Sequence, residues 1–265
     1  MKRVFAYILL TIGILTAAPE NALEKKPRIA TTQELTREWI QVIAGETVTT
    51  ELLVVNDPPS LPLSLVIETG LERKGSKLSS NTPRVVLSDG LLLLKEGQTL
   101  RPKVCKRSKK AETTACCCDT KTPSPRYEAV FDPALMQAQT HPYAWMDVSL
   151  ATSMIVSLTE TLCDLAPEHA LLYKKRSAVY QEKLKALDLE IFASIDALPP
   201  SALKEPNPSW RYFTRRYGLN PGKTGTLPEL PVRGKTYIET IQLQVNSLKN
   251  KGFETFASNP QNLND

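Results

Sequence analysis

One long helix constrains the fold of this chain more than any other feature of the sequence. From Pro167 to Leu198, apolar residues recur mostly three, four or seven positions apart, which is the period of an amphipathic helix. They are Leu171, Leu172, Val179, Leu184, Leu187, Ile191, Ile195 and Leu198. Pro167 suits the first helical turn, and Pro199-Pro200 ends the helix because neither ring nitrogen can donate a hydrogen bond. About thirty helical residues span roughly 45 Å, so we expect this helix to bridge two bodies.

Strands and helices alternate in the first half of the chain, and this alternation predicts an α/β fold with a parallel sheet. We predict strands over 28–32, 48–55, 63–67, 84–87 and 252–257, and helices over 33–44, 148–162, 210–217 and 236–250. Gly45 and Gly218 follow two of these helices in the position where glycine commonly ends a helix. Because parallel sheets bind ligands at the carboxyl ends of their strands, the loop 56–60 is a candidate for ligand binding.

The amino terminus indicates a secretory signal peptide over residues 1–22. Met1-Lys2-Arg3 is basic, an apolar run of about a dozen residues follows, and small residues suited to cleavage come next. The run is shorter than the roughly 18 residues of a membrane-spanning helix, and no later apolar run approaches that length. We therefore expect a protein that is exported to the periplasm and does not span the membrane.

The cysteines leave several chemistries open. They are Cys105, Cys116, Cys117, Cys118 and Cys163. An exported protein can form disulfides, and the odd number leaves at least one thiol free or paired between molecules. All but Cys163 lie in the polar stretch 101–126, which has no periodicity and is predicted to be a disordered, mobile surface loop. Adjacent cysteines lack the usual zinc spacing, so a disulfide-linked or reactive loop and a thiolate metal site are both open alternatives.

Composition and motifs argue against two classes of function. The net charge of +5 is mild, and the basic run 103–110 has no interleaved aromatic residues for base stacking, so we expect no nucleic-acid binding. Neither of the two histidines is near a plausible nucleophile, and the segment 222–225 lacks the upstream glycine of a phosphate-binding loop. We therefore expect that the protein is not an enzyme.

A tryptophan motif occurs immediately before the predicted helix 148–162. It reads Pro142-Tyr143-Ala144-Trp145-Met146-Asp147. This order resembles the motif Asp-Pro-His-x-Trp-x-Asp of a known family, the cluster 9 solute-binding proteins. Members of that family are the periplasmic metal-binding components of zinc and manganese ABC importers. Further segments resemble that family in the same order along the chain. They are 29–32, 52–58, 64–72, 166–188 and 212–219.

The resemblance implies a two-lobed solute-binding fold whose parallel sheets are joined by one long bridging helix. It also implies a monomer that captures a divalent metal ion between its lobes, with three histidines and a carboxylate as ligands. Zn²⁺ or Mn²⁺, or iron, is then the transported ligand, since imidazole and carboxylate groups suit such ions. The implied partners are the ABC permease and ATPase of a metal importer.

The chain departs from the family's pattern at every histidine. Asp57-Pro58-Pro59 stands in place of Asp-Pro-His, and Asn207 stands at the third histidine. Tyr143 stands at the histidine of the tryptophan motif, and His141 lies two positions earlier. The candidate metal ligands are therefore His141, Asp57, Tyr143 and Asn207. A helix that the family carries before the strand 63–67 is missing, and we expect a truncated second lobe.

These observations divide the chain into four parts and leave more than one function open. The parts are a signal peptide (1–22), an N-terminal α/β lobe (23–147), a helical segment with the bridging helix (148–198) and a partial C-terminal α/β lobe (199–265). The first hypothesis is the exported solute-binding component of a metal importer. The alternative is a degenerate relative that binds no metal and serves as a periplasmic interaction or adhesion module. A redox or thiol role of the cysteine-rich loop is a third.

Overall fold

The computed structural model describes residues 26–53, 62–71, 82–96, 98, 100–102, 125–140, 142–197, 210–218 and 235–257. The predicted signal peptide, the loop 56–60 and all the cysteines except Cys163 lie outside these residues. So do the predicted helix end at 198–200 and the segment 222–225.

A parallel sheet forms the centre of the first half of the chain. Its strands are β1 (Arg28–Thr31), β2 (Thr49–Leu52), β3 (Leu65–Glu68) and β4 (Arg84–Val86), in the spatial order β2-β1-β3-β4. Ile29 of β1 lies opposite both Thr50 of β2 and Leu65 of β3, so β1 is a central strand. Every residue of β3 is buried, as expected for a central strand of a parallel sheet. The predicted parallel α/β arrangement of this half is confirmed.

Helix α1 (Glu34–Ala44) packs against β1 and β2 and ends at Gly45, as predicted. Gly45 has a φ of 62°, a left-handed conformation that glycine adopts without strain. Arg176 fills the space beside it and donates a hydrogen bond of 2.9 Å to the Ala44 carbonyl. The Thr47 hydroxyl donates to the same carbonyl at 2.9 Å, so a local side chain and one from later in the sequence together satisfy the end of α1.

Two short antiparallel strands hold the ends of the predicted loop 101–126. They are β5 (Leu100–Pro102) and β6 (Tyr127–Ala129), with Leu100 opposite Ala129. Arg101 and Pro102 are therefore part of a strand and not of a loop as predicted, because the start of the polar stretch pairs with β6. The remainder of that prediction, residues 103–124, lies outside the described residues.

The remaining elements are helices. They are α2 (Val148–Leu165), α3 (Ala170–Asp196), α4 (Arg211–Tyr217) and α5 (Tyr237–Ala257). A 3-10 turn over Pro167–His169 joins α2 and α3 into an antiparallel hairpin, in which Thr159 donates a hydrogen bond of 2.7 Å to Ser177. By length and composition α2 is apolar enough to cross a membrane, yet 44% of it is buried within the protein, where it packs against α3.

Helix α3 connects the two halves of the chain. Its 27 residues span about 40 Å. It packs against α1 and α2, which precede it in the sequence, and against α4 and α5, which follow it. The prediction of one long helix that bridges two parts of the molecule is confirmed.

The predicted apolar face of α3 is wrong at its amino-terminal half. Leu171 is 83% exposed and Val179 is 55% exposed, whereas Tyr173 and Tyr180 are buried. The face that packs inward also carries Ser177 and Asp188. These polar side chains find hydrogen-bond partners on other helices, so their burial is possible although the sequence pattern assigns them to the solvent.

The described residues after 198 belong to helices, with short connecting residues. Helix α4 ends at Gly218, which has a φ of 82°, as the sequence predicts. The strand predicted over 252–257 is wrong, because these residues continue α5. An apolar run of six residues fits either a helix or a strand, and periodicity cannot separate the two at that length. The parallel sheet β2-β1-β3-β4 is the only parallel sheet in the described ranges.

Candidate functional site

The order of the strands predicts a ligand crevice at the carboxyl ends of the central strands β1 and β3. The chain leaves β1 toward β2 on one side and leaves β3 toward β4 on the other, so the direction of winding reverses between β1 and β3. Open parallel sheets bind ligands outside the carboxyl ends of strands at such a point. Thr31 and Thr69, which lie at these two strand ends, are fully buried.

Gly70 follows β3 at its carboxyl end and lets the backbone approach β4 closely. Its φ is 78°, and a Cβ added there would lie 2.4 Å from Cγ1 of Val86 and 2.6 Å from Oγ of Ser88. Both distances are too short for non-bonded atoms, so glycine is required at this position for conformation and for space.

Of the candidate metal ligands, Tyr143 lies in the described residues. It is half-buried and precedes a 3-10 turn over Ala144–Met146. Its ring meets the Trp145 ring edge-on, with the centroids 5.9 Å apart. His141, Asp57 and Asn207 lie outside the described residues, so their convergence with Tyr143 stays a prediction.

Asp147 is the last residue of the tryptophan motif and is fully buried. Its carboxylate accepts hydrogen bonds from the backbone N–H groups of Ser149 at 3.0 Å and Leu150 at 3.4 Å, which cap the amino terminus of α2. A carboxylate also interacts favourably with the positive end of the helix dipole. The motif therefore fixes the start of α2 and the position of Tyr143 just before it.

Arginines of α4 meet this carboxylate from the opposite side. Arg215 donates to Oδ2 of Asp147 at 3.0 Å, and Nε of Arg216 lies 3.8 Å from Oδ1. Arg216 also binds both carboxylate oxygens of Asp188 on α3, at 3.1 and 2.5 Å. This paired geometry is the strong form of an arginine–carboxylate contact. The ionic network joins α2, α3 and α4 beneath the tryptophan motif.

The pKa values of Arg216 and Tyr217 in this network are both raised. Burial alone would lower the pKa of Arg216, but the hydrogen bonds and the charge of Asp188, with the charge of Asp147, raise it. Burial, followed by the charges of Asp188 and Asp147, raises the pKa of Tyr217 well above its ordinary value. The Tyr217 hydroxyl therefore stays protonated and donates to Asp188 at 2.8 Å.

Two tyrosine hydroxyls attach the tryptophan motif and its neighbours to the later helices. The hydroxyl of Tyr212 on α4 accepts a hydrogen bond of 2.7 Å from the Leu94 N–H, and burial raises the pKa of Tyr212 to about 12. The hydroxyl of Tyr237, at the start of α5, donates to the Trp145 carbonyl at 2.7 Å. Both hydroxyls are buried and bonded, so Tyr237 holds the motif, Tyr212 holds Leu94, and neither is a free ligand group.

The start of α5 is also bound to α1. The Tyr237 N–H donates a hydrogen bond of 2.8 Å to Oε2 of Glu38, and the rings of Tyr237 and Trp39 meet edge-on at 5.6 Å. Burial raises the pKa of Glu38 to about 7, although the hydrogen bond from Tyr237 opposes the shift. A carboxyl group that titrates near neutral pH thus lies where the first and last helices meet.

The described residues do not by themselves form a metal centre. Among them there is no group of three or more His, Cys, Asp or Glu side chains that could hold a metal ion. The buried carboxylates of Asp147 and Asp188 are neutralised by arginines and are not available as ligands. The sequence did not reveal this network, since its members are far apart along the chain; the adjacent pair Arg215-Arg216 was the signal that could have suggested it.

Comparison with known proteins identifies the relatives of this chain. The model of a family described as ZnuA, the periplasmic component A of a zinc-uptake complex, matches residues 63–263. The zinc-binding protein TroA of Treponema pallidum is 30% identical over 88 residues, which cover 32% of this chain and 29% of that protein. The high-affinity zinc uptake system protein ZnuA of Paracoccus denitrificans is 28% identical over 106 residues, covering 40% and 32%. The chain thus spans about a third of the length of these curated relatives.

Solved structures are similar over a larger share of the chain. The Mn-bound periplasmic metal-binding protein of Candidatus Liberibacter asiaticus has a TM-score of 0.58 at 14% identity and covers 86% of this chain and 100% of its own. The periplasmic zinc-binding protein TroA of Treponema pallidum has a TM-score of 0.56 at 14% identity, covering 86% and 99%. These similarities confirm the predicted two-lobed α/β solute-binding fold. The truncation of the second lobe stays a prediction.

Proposed function

Because this chain belongs to the ZnuA family of periplasmic zinc-uptake components, we propose that it is the exported solute-binding component of an ABC importer for a divalent metal ion. The family match over residues 63–263 is the observation that carries the proposal. In this role the protein delivers its ion to the permease and ATPase of the importer and catalyses no reaction. Residues 1–22 direct its export, and it acts in the periplasm as a monomer.

The architecture suits capture of an ion between two lobes. Helix α3 contacts helices on both sides of it, so a ligand beside the tryptophan motif can affect both halves of the chain. The network of Asp147, Asp188 and the α4 arginines fixes the motif against α3 and α4. The proposed ion site comprises the four candidate ligands, which are His141, Asp57, Tyr143 and Asn207.

The donor atoms of this set favour particular ions. One imidazole, one carboxylate, one phenol and one amide oxygen make an oxygen-rich site, whereas three imidazoles and a carboxylate are typical of zinc. Oxygen ligands suit Mn²⁺ better than they suit a soft ion. We propose Mn²⁺ or Zn²⁺ as the solute. The oxygen-rich ligand set of this chain should favour Mn²⁺ over Zn²⁺ more than a three-histidine set does.

One observation supports the alternative of a relative that binds no metal and acts as a periplasmic interaction module. Tyr143 stands at a histidine position, and the described residues contain no metal-binding group. The buried carboxylates around the motif, Asp147 and Asp188, are neutralised by arginines and need no metal ion for charge balance. The two candidates therefore differ in one measurable property, which is metal affinity.

Calorimetric titration of the mature, cysteine-blocked protein with Zn²⁺ and Mn²⁺ tests the proposal. We expect dissociation constants of about 1 µM or tighter. The affinity should be lost in His141→Ala and kept in His169→Ala, since His169 is the only other histidine and lies in the turn before α3. Absence of heat for both ions would favour the non-metal-binding module.

A further inference from the structure

Tyr237, the first residue of α5, joins the tryptophan motif to helix α1. Its hydroxyl donates a hydrogen bond of 2.7 Å to the Trp145 carbonyl, and its backbone N–H donates one of 2.8 Å to Oε2 of Glu38. Tyr237 is fully buried, and its ring meets the Trp39 ring edge-on at 5.6 Å. Closely packed interiors transmit displacements, so a movement of α5 relative to α1 reaches Trp145 through Tyr237.

The contact between α1 and α5 depends on the charge of Glu38. A carboxylate suits the start of a helix, where N–H groups lack partners and the helix dipole is positive. However, Oε1 of Glu38 is buried and, among the described residues, has no hydrogen-bond partner of regular geometry. An ionised Glu38 therefore keeps part of its charge uncompensated away from water, which is unfavourable. The packed arrangement of α1 against α5 favours the neutral carboxyl group.

Titratable residues of α3 and α5 face Glu38, and their charges do not compensate it. They are Tyr180 of α3, and Tyr237 and Glu239 of α5. Burial raises the pKa of both tyrosines above the ordinary value, so they stay neutral near neutral pH. Hydrogen bonds from Thr236 lower the pKa of the exposed Glu239, which therefore stays ionised and adds a negative charge. Burial raises the pKa of Glu38 itself to about 7, so Glu38 is the member of this group that changes its charge near neutral pH.

We propose that Tyr237 is the positioning residue of the tryptophan motif and makes the position of the motif depend on the protonation state of Glu38. With Glu38 neutral, α5 packs against α1 and the Tyr237 hydroxyl holds the Trp145 carbonyl. Ionisation of Glu38 favours an arrangement in which water reaches the carboxylate, so α5 separates from α1 and the bond to Trp145 is lost. Tyr143, whose ring packs edge-on against that of Trp145, then also loses its fixed place.

This coupling makes the candidate ion site depend on pH. Tyr143 is a candidate ligand, so an ion that binds at the motif stabilises the arrangement in which Glu38 is neutral. Because the coupling between two binding events is reciprocal, a protonated Glu38 favours ion binding. This step alone rests on the proposed function, since the link between Glu38 and Trp145 requires no ion.

The first experiment follows the motif by NMR in the metal-free, mature protein labelled with ¹⁵N-tryptophan. The background variant is His141→Gln, because His141 precedes Trp145 closely in the sequence and a histidine ordinarily titrates in the same pH range. We expect the Trp145 backbone amide signal, assigned with Trp145→Phe, to shift with a midpoint at about pH 7. The shift should be lost in Glu38→Gln and in Tyr237→Phe, which removes only a hydroxyl group.

Tyr173→Phe is the matched control, since Tyr173 is equally buried and its hydroxyl bonds to Thr47 at 2.7 Å instead of to the motif. It should keep the shift. Glu38→Gln covers loss of folding in Tyr237→Phe, because glutamine has the shape of the neutral carboxyl group. A Trp145 signal that does not respond to pH, or that responds equally in Tyr237→Phe and in the control, would overturn the inference.

The second experiment measures the affinity for Mn²⁺ by calorimetry at about pH 6 and about pH 8, in proteins that retain His141. The ratio of the wild-type association constant to that of Glu38→Gln should fall about fivefold or more between the two pH values, since titration of the ligands affects both proteins alike. Ion binding with a constant ratio refutes the coupling to the ion site and leaves the proposed function in place. A pH-dependent Trp145 signal without ion binding refutes only the proposed function.

Discussion

The carboxylate of Asp147 lies 3.0 Å from Nη2 of Arg215, and the Asp147 side chain is completely shielded from solvent. The same carboxylate caps α2, so one side chain joins the tryptophan motif, α2 and α4. Breaking a buried pair leaves the remaining charge uncompensated, which is more damaging than losing an exposed ion pair. The stability of this region therefore depends on Asp147.

Asp147→Asn should lower the free energy of unfolding by about 3 kcal/mol, because Arg215 loses its carboxylate partner in a buried position. Urea denaturation followed by circular dichroism measures the change. Asp132→Asn is the matched control, since Asp132 caps the exposed 3-10 turn Pro133–Leu135 and asparagine caps as well as aspartate. Similar losses in both variants would show that the ion pair contributes nothing beyond the cap.

The raised pKa of Glu38 predicts that the free energy of unfolding decreases as the pH rises. Its folded pKa of about 7 is higher than its ordinary value of 4.5, so the folded state binds the proton more tightly than the unfolded chain. The stabilisation is complete below about pH 4.5 and is lost as the pH rises through 7. After allowance for solvent screening, we expect the contribution to be on the order of 1 kcal/mol.

The free energy of unfolding is measured at about pH 5 and about pH 8 for the wild type and for Glu38→Gln. The difference between the two pH values should become smaller in the variant by the amount that Glu38 contributes. Glu34→Gln, on the same helix but in a surface ion pair with Arg37, should keep the wild-type difference. An unchanged difference in Glu38→Gln would contradict the assignment.

Gly70→Ala should destabilise the protein more than Gly90→Ala. Both glycines have nearly the same φ, 78° and 77°, but a Cβ on Gly90 meets nothing within 4 Å, whereas one on Gly70 collides with Val86 and Ser88. The shared conformational penalty is about 1 kcal/mol, and the collision should add about 1–3 kcal/mol for Gly70→Ala. Thermal denaturation of both variants measures the difference, and equal losses would mean that β4 moves aside.

Local sequence patterns predicted most of the helices and strands. Long-range contacts explain the buried polar side chains that these patterns missed. The helix over Glu34–Ala44 and its end at Gly45 follow from periodicity and from the conformational freedom of glycine, which are local properties. The buried face of α3 depends on Asp188, whose partners Arg216 and Tyr217 come much later in the chain. A pattern of apolar residues cannot show that a charged side chain is buried when its partner lies on another helix.

The same distinction between local patterns and long-range contacts applies to the candidate site. The motif around Trp145 was recognisable from the order of its residues, and the structure gives Asp147 a defined role as a helix cap. Neither Arg215 nor Arg216 was among the candidate residues, because arginines on a short polar helix have no sequence signature of burial. Whether His141, Asp57 and Asn207 approach Tyr143 depends on long-range contacts, which sequence order does not determine.

Tyr143→His should strengthen Zn²⁺ binding about tenfold or more, because an imidazole nitrogen is a standard zinc ligand and a neutral phenol is not. Tyr143 precedes the rigid turn Ala144–Met146 and the capped start of α2, so the new imidazole should occupy the same place as the phenol. Calorimetric titration with Zn²⁺ measures the gain. Tyr127→His is the control, since Tyr127 belongs to β6 and a histidine there should leave the affinity unchanged. If Tyr143→His has no effect while His141→Ala abolishes binding, the ion site exists but excludes position 143, and the tryptophan motif then contributes to the fold rather than to metal binding.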